Sequence, residues 1–414
     1  MKSTARPTDQ VRQELLAIKG VGSYAAANLL MLLGRYDFVP VDSWARKMVS
    51  REWHRGKPVE GADVEAAFER WGAWKGLVYW FWNWTAEPIE WLLETDQENP
   101  AVRYFALRDL LELPESHDRV RRARSAIMRE GPVPVILEAQ EPDGYWVKPG
   151  SGYSPKYRST VWSVLLLAEL GADPEEARVR RACEYLLDHA RAPNGAFSVY
   201  QKPVASGALH CLNGNLVFAL QRLGFGEDPR VGEVRDWLAR SIVGEEFLDY
   251  YGSGVCAPGF ACGVNEKQPC AWGANKALRA LLETPEQAKT PLVERALERG
   301  AQFLLSRDPA VADYPYTERV SSTWFKLGFP LTYWSDVLET VSNLVRLGYG
   351  QHPRVAPGLD WVRERRDDHG RWRLENSLRG KMWVDIERQG QPSKWITLRA
   401  LKVLKAAGLY TPDS

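Results

Sequence analysis

The stretch "NGNLVFALQRLGFGEDPRVGEVRDWLARS", Asn213–Ser241, contains one complete structural unit. Its first part, through Leu220, is apolar on nearly every side. A helix of that composition is stable only when it is buried all round. The turn "LGFGEDPRV" follows, and then "RVGEVRDWLARS", a charged segment with one apolar stripe at helical spacing. The same alternation recurs. Wholly apolar helices are read in "STVWSVLLLAEL", "SDVLETVSNLVRL" and "WITLRALKVL", and a second striped helix in "RVAPGLDWVRERR". The apolar helices begin near Tyr157, Leu209, Cys270, Tyr333 and Trp395, at intervals of 52, 61, 63 and 62 residues, enough for two helices per unit. Buried helices inside half-exposed ones form two layers. The expectation is an all-α fold in which an inner and an outer helical ring close as an α/α toroid.

A chain of 414 residues is too long for one ordinary core, so two domains are expected. Residues 10–85 read as shorter helices (Gln10–Ile18, Ser23–Leu33, Asp42–Glu52 and Asp63–Trp71) joined by Gly/Pro turns. The acidic, Pro-punctuated segment "TAEPIEWLLETDQENP" marks the change, which places the domains at 1–86 and 87–414. The first holds 12 Lys+Arg against 9 Asp+Glu and the second 42 against 44, a mild basic bias at the N-terminal end. The N-terminal "MKSTARPTDQ" lacks the apolar stretch of a signal peptide, and no apolar run approaches the ~18 residues a membrane span needs. The expectation is a cytoplasmic protein without a membrane span, whose five cysteines are reduced thiols or metal ligands.

Three Gly-aromatic loops separate the repeats: "QEPDGYW" (Gln140–Trp146), "RAPNGAF" (Arg191–Phe197) and "RRDDHGRW" (Arg365–Trp372). The first resembles the QW motif of the terpenoid cyclase and protein prenyltransferase superfamily, and the others match it in part. That resemblance covers residues 88–414. It implies a toroid in which these aromatics are structural, and an apolar small-molecule ligand in the toroid. The aspartate-rich acid and Mg²⁺ motifs of those enzymes are absent from the sequence. "RDDHG" reads as a turn cap, and Asp336 as a helix N-cap in preference to an acid facing the toroid's cavity.

Cys256, Cys262 and Cys270 share one stretch leading into an apolar helix, and Cys211 opens the preceding one. The matching places of Cys211 and Cys270 put all four on one rim. Four thiolates there suit a structural, tetrahedral zinc, with His210 as an alternative ligand. The competing reading is four small buried residues under a long loop. Cys183, in "RRACEYLL", reads as core.

Near the N-terminus, "AIKGVGSYAAANLL" places Gly20 and Gly22 in a tight turn between two helices, where a Cβ is expected to obstruct. Amides at the turn and at the start of the Ser23 helix suit a phosphate. Lys19, Arg46, Lys47, Arg51, Arg55 and Lys57 add sequence-independent contacts to a nucleic-acid backbone. Three strings, "IKGVGSY", "AAANLLMLLGR" and "VPVDSWARK", resemble the helix-hairpin-helix DNA glycosylase superfamily, and "WGAWKGLVYWFWNW" is similar to the final helix of its alkylpurine-type members. The resemblance covers about residues 10–85, since the long segment that family members carry before the hairpin has no counterpart here. It implies DNA as partner, bound through Lys19, Gly20, Gly22, Ser23, Arg46 and Lys47. It makes Asp42 the essential aspartate, with Tyr24 standing where bifunctional members carry a lysine nucleophile. The implied activity is monofunctional base removal, in which Asp42 stabilises the sugar cation.

Three readings follow. The first is DNA-damage recognition or base excision, with the toroid as scaffold or partner site. The second is a toroid enzyme of the prenyltransferase or terpenoid cyclase kind acting on an apolar ligand. The third is a non-catalytic DNA-binding adaptor.

Overall fold

The structure is a computed structural model describing residues 6–54, 57–81, 88–245, 247, 258–315 and 320–412, without the side chains of Arg51 and Glu52. The described residues are helical, and β-structure among them is confined to isolated bridges. The chain forms two compact units, Met1–Ala86 and Glu87–Ser414, each with its own apolar core.

In the smaller unit α1 (Thr8–Leu16) and α2 (Ser23–Leu32) pack as a pair. They are followed by α3 (Ser43–Trp53), α4 (Gly61–Phe68) and α5 (Lys75–Trp80). The fully buried Ala45, Val49, Val64 and Phe68 anchor its core. α1 ends before the expected Ile18, whose carbonyl instead accepts from Val21 N–H to close the turn. α4 ends before the expected Trp71, because Glu69–Trp74 tightens into a 3₁₀ segment broken at Gly72, where φ is 50°.

The larger unit begins with α6 (Pro88–Leu93), α7 (Pro100–Phe105), α8 (Asp118–Ile127) and α9 (Pro132–Glu138). The pairs α10 (Thr160–Glu169) with α11 (Ala177–His189), and α12 (His210–Leu220) with α13 (Pro229–Val243), come next. Then follow α14 (Ala271–Leu282) with α15 (Pro291–Leu305), α16 (Val337–Leu344) with α17 (Ala356–Arg363), and finally α18 (Lys394–Ala406). Burial separates two classes. α10 and α12 are buried almost throughout, whereas α11 buries one stripe formed by Val179, Ala182, Cys183, Leu186 and Leu187. The buried helices pack in succession, α10 on α12, α12 on α14, α14 on α16, α16 on α18 and α18 on α7, and the striped helices lie against them. Gly214 sets the closest approach: a Cβ there would lie 2.4 Å from the Lys276 backbone of α14.

The Gly-aromatic loops repeat one device. Trp146 and Trp372 are fully buried; their indole N–H groups donate to Ile136 O (2.7 Å) and Val362 O (2.6 Å). The amides of Trp146, Phe197 and Trp372 each donate to a side-chain oxygen in the first turn of a buried helix, on Thr160, Asn213 and Thr397. Gln140 donates to Arg178 O at 2.9 Å, fastening α11 to the loop.

Candidate functional site

In the hairpin, Gly20 has φ +92°, a conformation that favours glycine, while Gly22 is extended at φ −84°. A Cβ at either position would meet nothing within 4 Å. The expected obstruction inside the hairpin is therefore corrected: Gly20 is required by its backbone angle, and Gly22 leaves space only toward the outside. Gly22 is the N-cap of α2 and has no side chain, so the first-turn amides at Ser23 and Tyr24 have no side-chain cap. Lys19, Gly20, Gly22, Ser23 and Tyr24 are all exposed. Lys47 is exposed on α3, while Arg46 reaches back to Val59 O (3.1 Å) and Glu60 (3.2 Å). Arg55 and the Arg51 side chain lie outside the described residues.

Asp42 is the N-cap of α3. Its Oδ1 accepts from Ala45 N–H at 2.7 Å and its Oδ2 from the Tyr79 hydroxyl at 2.8 Å. Burial, and then the Asp42 hydrogen bond and charge, push the Tyr79 hydroxyl well above the ordinary phenol range, so it remains a donor. Tyr79 packs edge-on against Trp44 and Trp80, and Tyr24 lies 5.9 Å from Trp80 between ring centroids. One aromatic group thus brings Tyr24 and Asp42 together around Tyr79. The sequence reading missed Tyr79 as Asp42's partner, since the two are 37 residues apart.

On the larger unit, Cys211, Cys262 and Cys270 are free thiols that lie near one another. A hydrogen bond from Cys270 pulls the Cys262 thiol down to about 6, whereas burial pushes Cys211 up to about 12. Cys256 lies outside the described residues. Among the described residues no group of three or more His, Cys, Asp or Glu side chains is placed to hold a metal ion. His210 faces elsewhere: its Nε2 pairs with Ser241 Oγ at 3.0 Å, and burial lowers it to about 4. Cys183 is core. Asp336 caps α16 through Glu339 N–H (2.7 Å) and pairs with Arg399 (3.1 Å).

This unit also holds a cavity, and its charged lining was not foreseen in the sequence, which pointed to an apolar ligand there. α7, α10, α12, α14, α16 and α18 or the turns that end them line this cavity of about 530 Å³. Its wall carries six basic side chains: Arg108, Arg222, Arg279, Arg346, Arg399 and Lys402. Asp109, Glu112, Glu169, Glu283 and Glu339 supply the acids. Arg279 clamps Glu169 with two hydrogen bonds (2.5 and 2.7 Å), and the buried Lys276 clamps Glu339 (2.7 and 2.8 Å). Phe105, Phe218, Phe329 and Trp395 provide the aromatic wall. The sequence does carry one signal. Glu169, Arg222 and Arg346 each stand two residues before a glycine of positive φ (Gly171, Gly224 and Gly348) that ends a buried helix.

No model of a known protein family matches the sequence, and no curated protein matches it. Among the described residues no helix is long and apolar enough to cross a membrane.

Proposed function

We propose that this protein recognises damaged DNA, gripping the duplex backbone with the hairpin of the smaller unit. The observation that carries the reading is the exposed Lys19–Tyr24 turn, with an uncapped helix start and open space outside Gly22. Amides and a lysine presented in this way suit a phosphate. In this reading Asp42 is the residue for monofunctional base removal. Its carboxylate is oriented by Tyr79 and Ala45 and would face the sugar cation as the base leaves. Tyr24 offers no amine for an imine, so strand cleavage is not part of the activity. The larger unit is read as an α/α toroid. Its cavity, walled by ion pairs, does not favour the apolar ligand of the alternative enzyme reading. The protein is placed in the cytoplasm, where its thiols stay reduced.

Base release from alkylated duplex tests the catalytic step. Wild type is expected to release base, with strand breaks appearing only after heat or alkali, and Asp42→Asn to bind DNA while releasing none. DNA binding without base release from a panel of damaged duplexes would leave the non-catalytic adaptor in its place.

Structural zinc belongs to the same proposal and rests on donor chemistry. Cys211, Cys262 and Cys270 are neighbouring thiols, and the sequence spacing adds Cys256. Protein purified without chelator should contain about one zinc per chain. A melting temperature unchanged by complete metal removal would refute the structural role.

A further inference from the structure

We propose that the cavity of the larger unit binds a small, polar organic anion that presents a phosphate or carboxylate group to Arg108, Arg222, Arg346 and Lys402. This inference is independent of the hairpin. Besides the four lining acids Asp109, Glu169, Glu283 and Glu339, the six lining bases meet Asp336 through Arg399 (3.1 Å) and Glu115 through Arg108 (3.7 Å), while Glu112 turns outward to Lys405 and leaves three quarters of its side chain exposed. The acids are shared. Asp109 takes both Arg108 (2.7 Å) and Lys402 (2.5 Å), and Glu283 takes Arg346 (2.8 Å) and, more distantly, Arg222 (3.6 Å). Among the described residues Arg222 makes no hydrogen bond; its guanidinium lies over the rings of Phe105 and Phe218, 5.7 and 5.8 Å from their centroids. Arg108 and Arg222 both lie close enough to Lys402 to repel its charge. Burial lowers the Lys402 ammonium, Asp109 opposes that, and the two arginines lower it further. Like charges gathered in a walled space leave donor capacity for an anion, and an arginine fork suits a carboxylate or phosphate.

Size and lining narrow the class. About 530 Å³ fits an ordinary small-molecule ligand. The Glu169–Arg279 pair and Glu339, held from behind by the buried Lys276, form part of the wall. Covering those groups with an apolar chain would remove water from charges without replacing its hydrogen bonds. The aromatic rings leave room for a compact apolar or planar part beside the anionic group.

A purely structural role for the arginines makes a different prediction. Arg108, Arg222, Arg279 and Arg346 stand in last turns of buried helices, where a cation favours the helix dipole. If that were Arg222's only role, Arg222→Gln would lower the ligand-free melting temperature.

The test is calorimetric titration of the full chain with inorganic diphosphate and, separately, with citrate, together with melting curves. The two anions distinguish phosphate from carboxylate recognition, and saturable binding of either at one site per chain is the expected result. Arg222→Gln should weaken that binding about tenfold or more while leaving the ligand-free melting temperature unchanged or raised. Gly22→Val should leave the binding intact, which keeps the result separate from any phosphate held by the hairpin. The proposal is overturned if neither anion binds saturably, or if Arg222→Gln binds as wild type does. It is equally overturned if Gly22→Val removes the site, or if a prenyl diphosphate binds more tightly than diphosphate.

Discussion

Asp42 serves two partners with one carboxylate, and the pairing explains why it is both a helix cap and a candidate for chemistry. Capping α3 uses Oδ1, and the Tyr79 hydroxyl fixes Oδ2. Asparagine keeps an oxygen for the cap but loses the charge, so Asp42→Asn separates the two roles. The position was legible in the sequence because "VPVDSWARK" places an acid just before a helical pattern. Its phenolic partner was not, because only the fold brings Tyr79 to it. A second acid makes a pH prediction. Burial raises Glu387 to about 7, against hydrogen bonds from Ser393 and Lys394 N–H, and the nearby Asp96 adds to the rise. A carboxyl raised in the folded state contributes stability below its unfolded value near 4.5 and loses it as pH climbs through about 7. Stability should therefore fall between those values. Because Glu387 is only half-buried, the loss is of the order of 1–2 kcal/mol after allowing for solvent screening. Denaturant melts at pH 5 and pH 8 measure it, and Glu387→Gln should flatten the difference. An equal slope in that variant would assign the pH dependence to other groups.

Among the elements, the buried helices and the Gly-aromatic loops carry the larger unit. Trp146 fills the space between α9 and α10 and ties its indole to Ile136 O, so Trp146→Ala removes packing and strands an acceptor. The expected cost is about 3–5 kcal/mol in denaturant unfolding. A variant of near wild-type stability would deny the loop its packing role. Gly214 makes the converse point. Alanine there adds one methyl against the α14 backbone, and overpacking of that kind costs about 1–3 kcal/mol. An unchanged melting temperature would mean that the two helices part freely. Wholly apolar against striped helices could be read from composition because burial on all sides and burial on one side leave different patterns. The Gly214 contact could not be read, since nothing local to "NGNLV" marks which neighbour approaches it.

At the scale of the molecule, two apolar cores divide the chain, and each unit holds its own candidate site. The hairpin was legible because its residues are contiguous. The charged cavity was not, because its wall draws on residues from Phe105 to Val403, which only the fold assembles. The central claim is that the Lys19–Tyr24 turn grips a DNA backbone, and equilibrium binding of duplex DNA across a salt series tests it most directly. Wild type should bind duplexes of unrelated sequence alike. With two or three phosphates neutralised, affinity should fall roughly ten- to fortyfold between about 50 and 200 mM salt. Gly22→Val should stay folded with its helix content kept, because a Cβ there meets nothing within 4 Å and only the cap of α2 is weakened, yet bind far more weakly. No binding at low salt, or binding that Gly22→Val leaves untouched, would contradict the account.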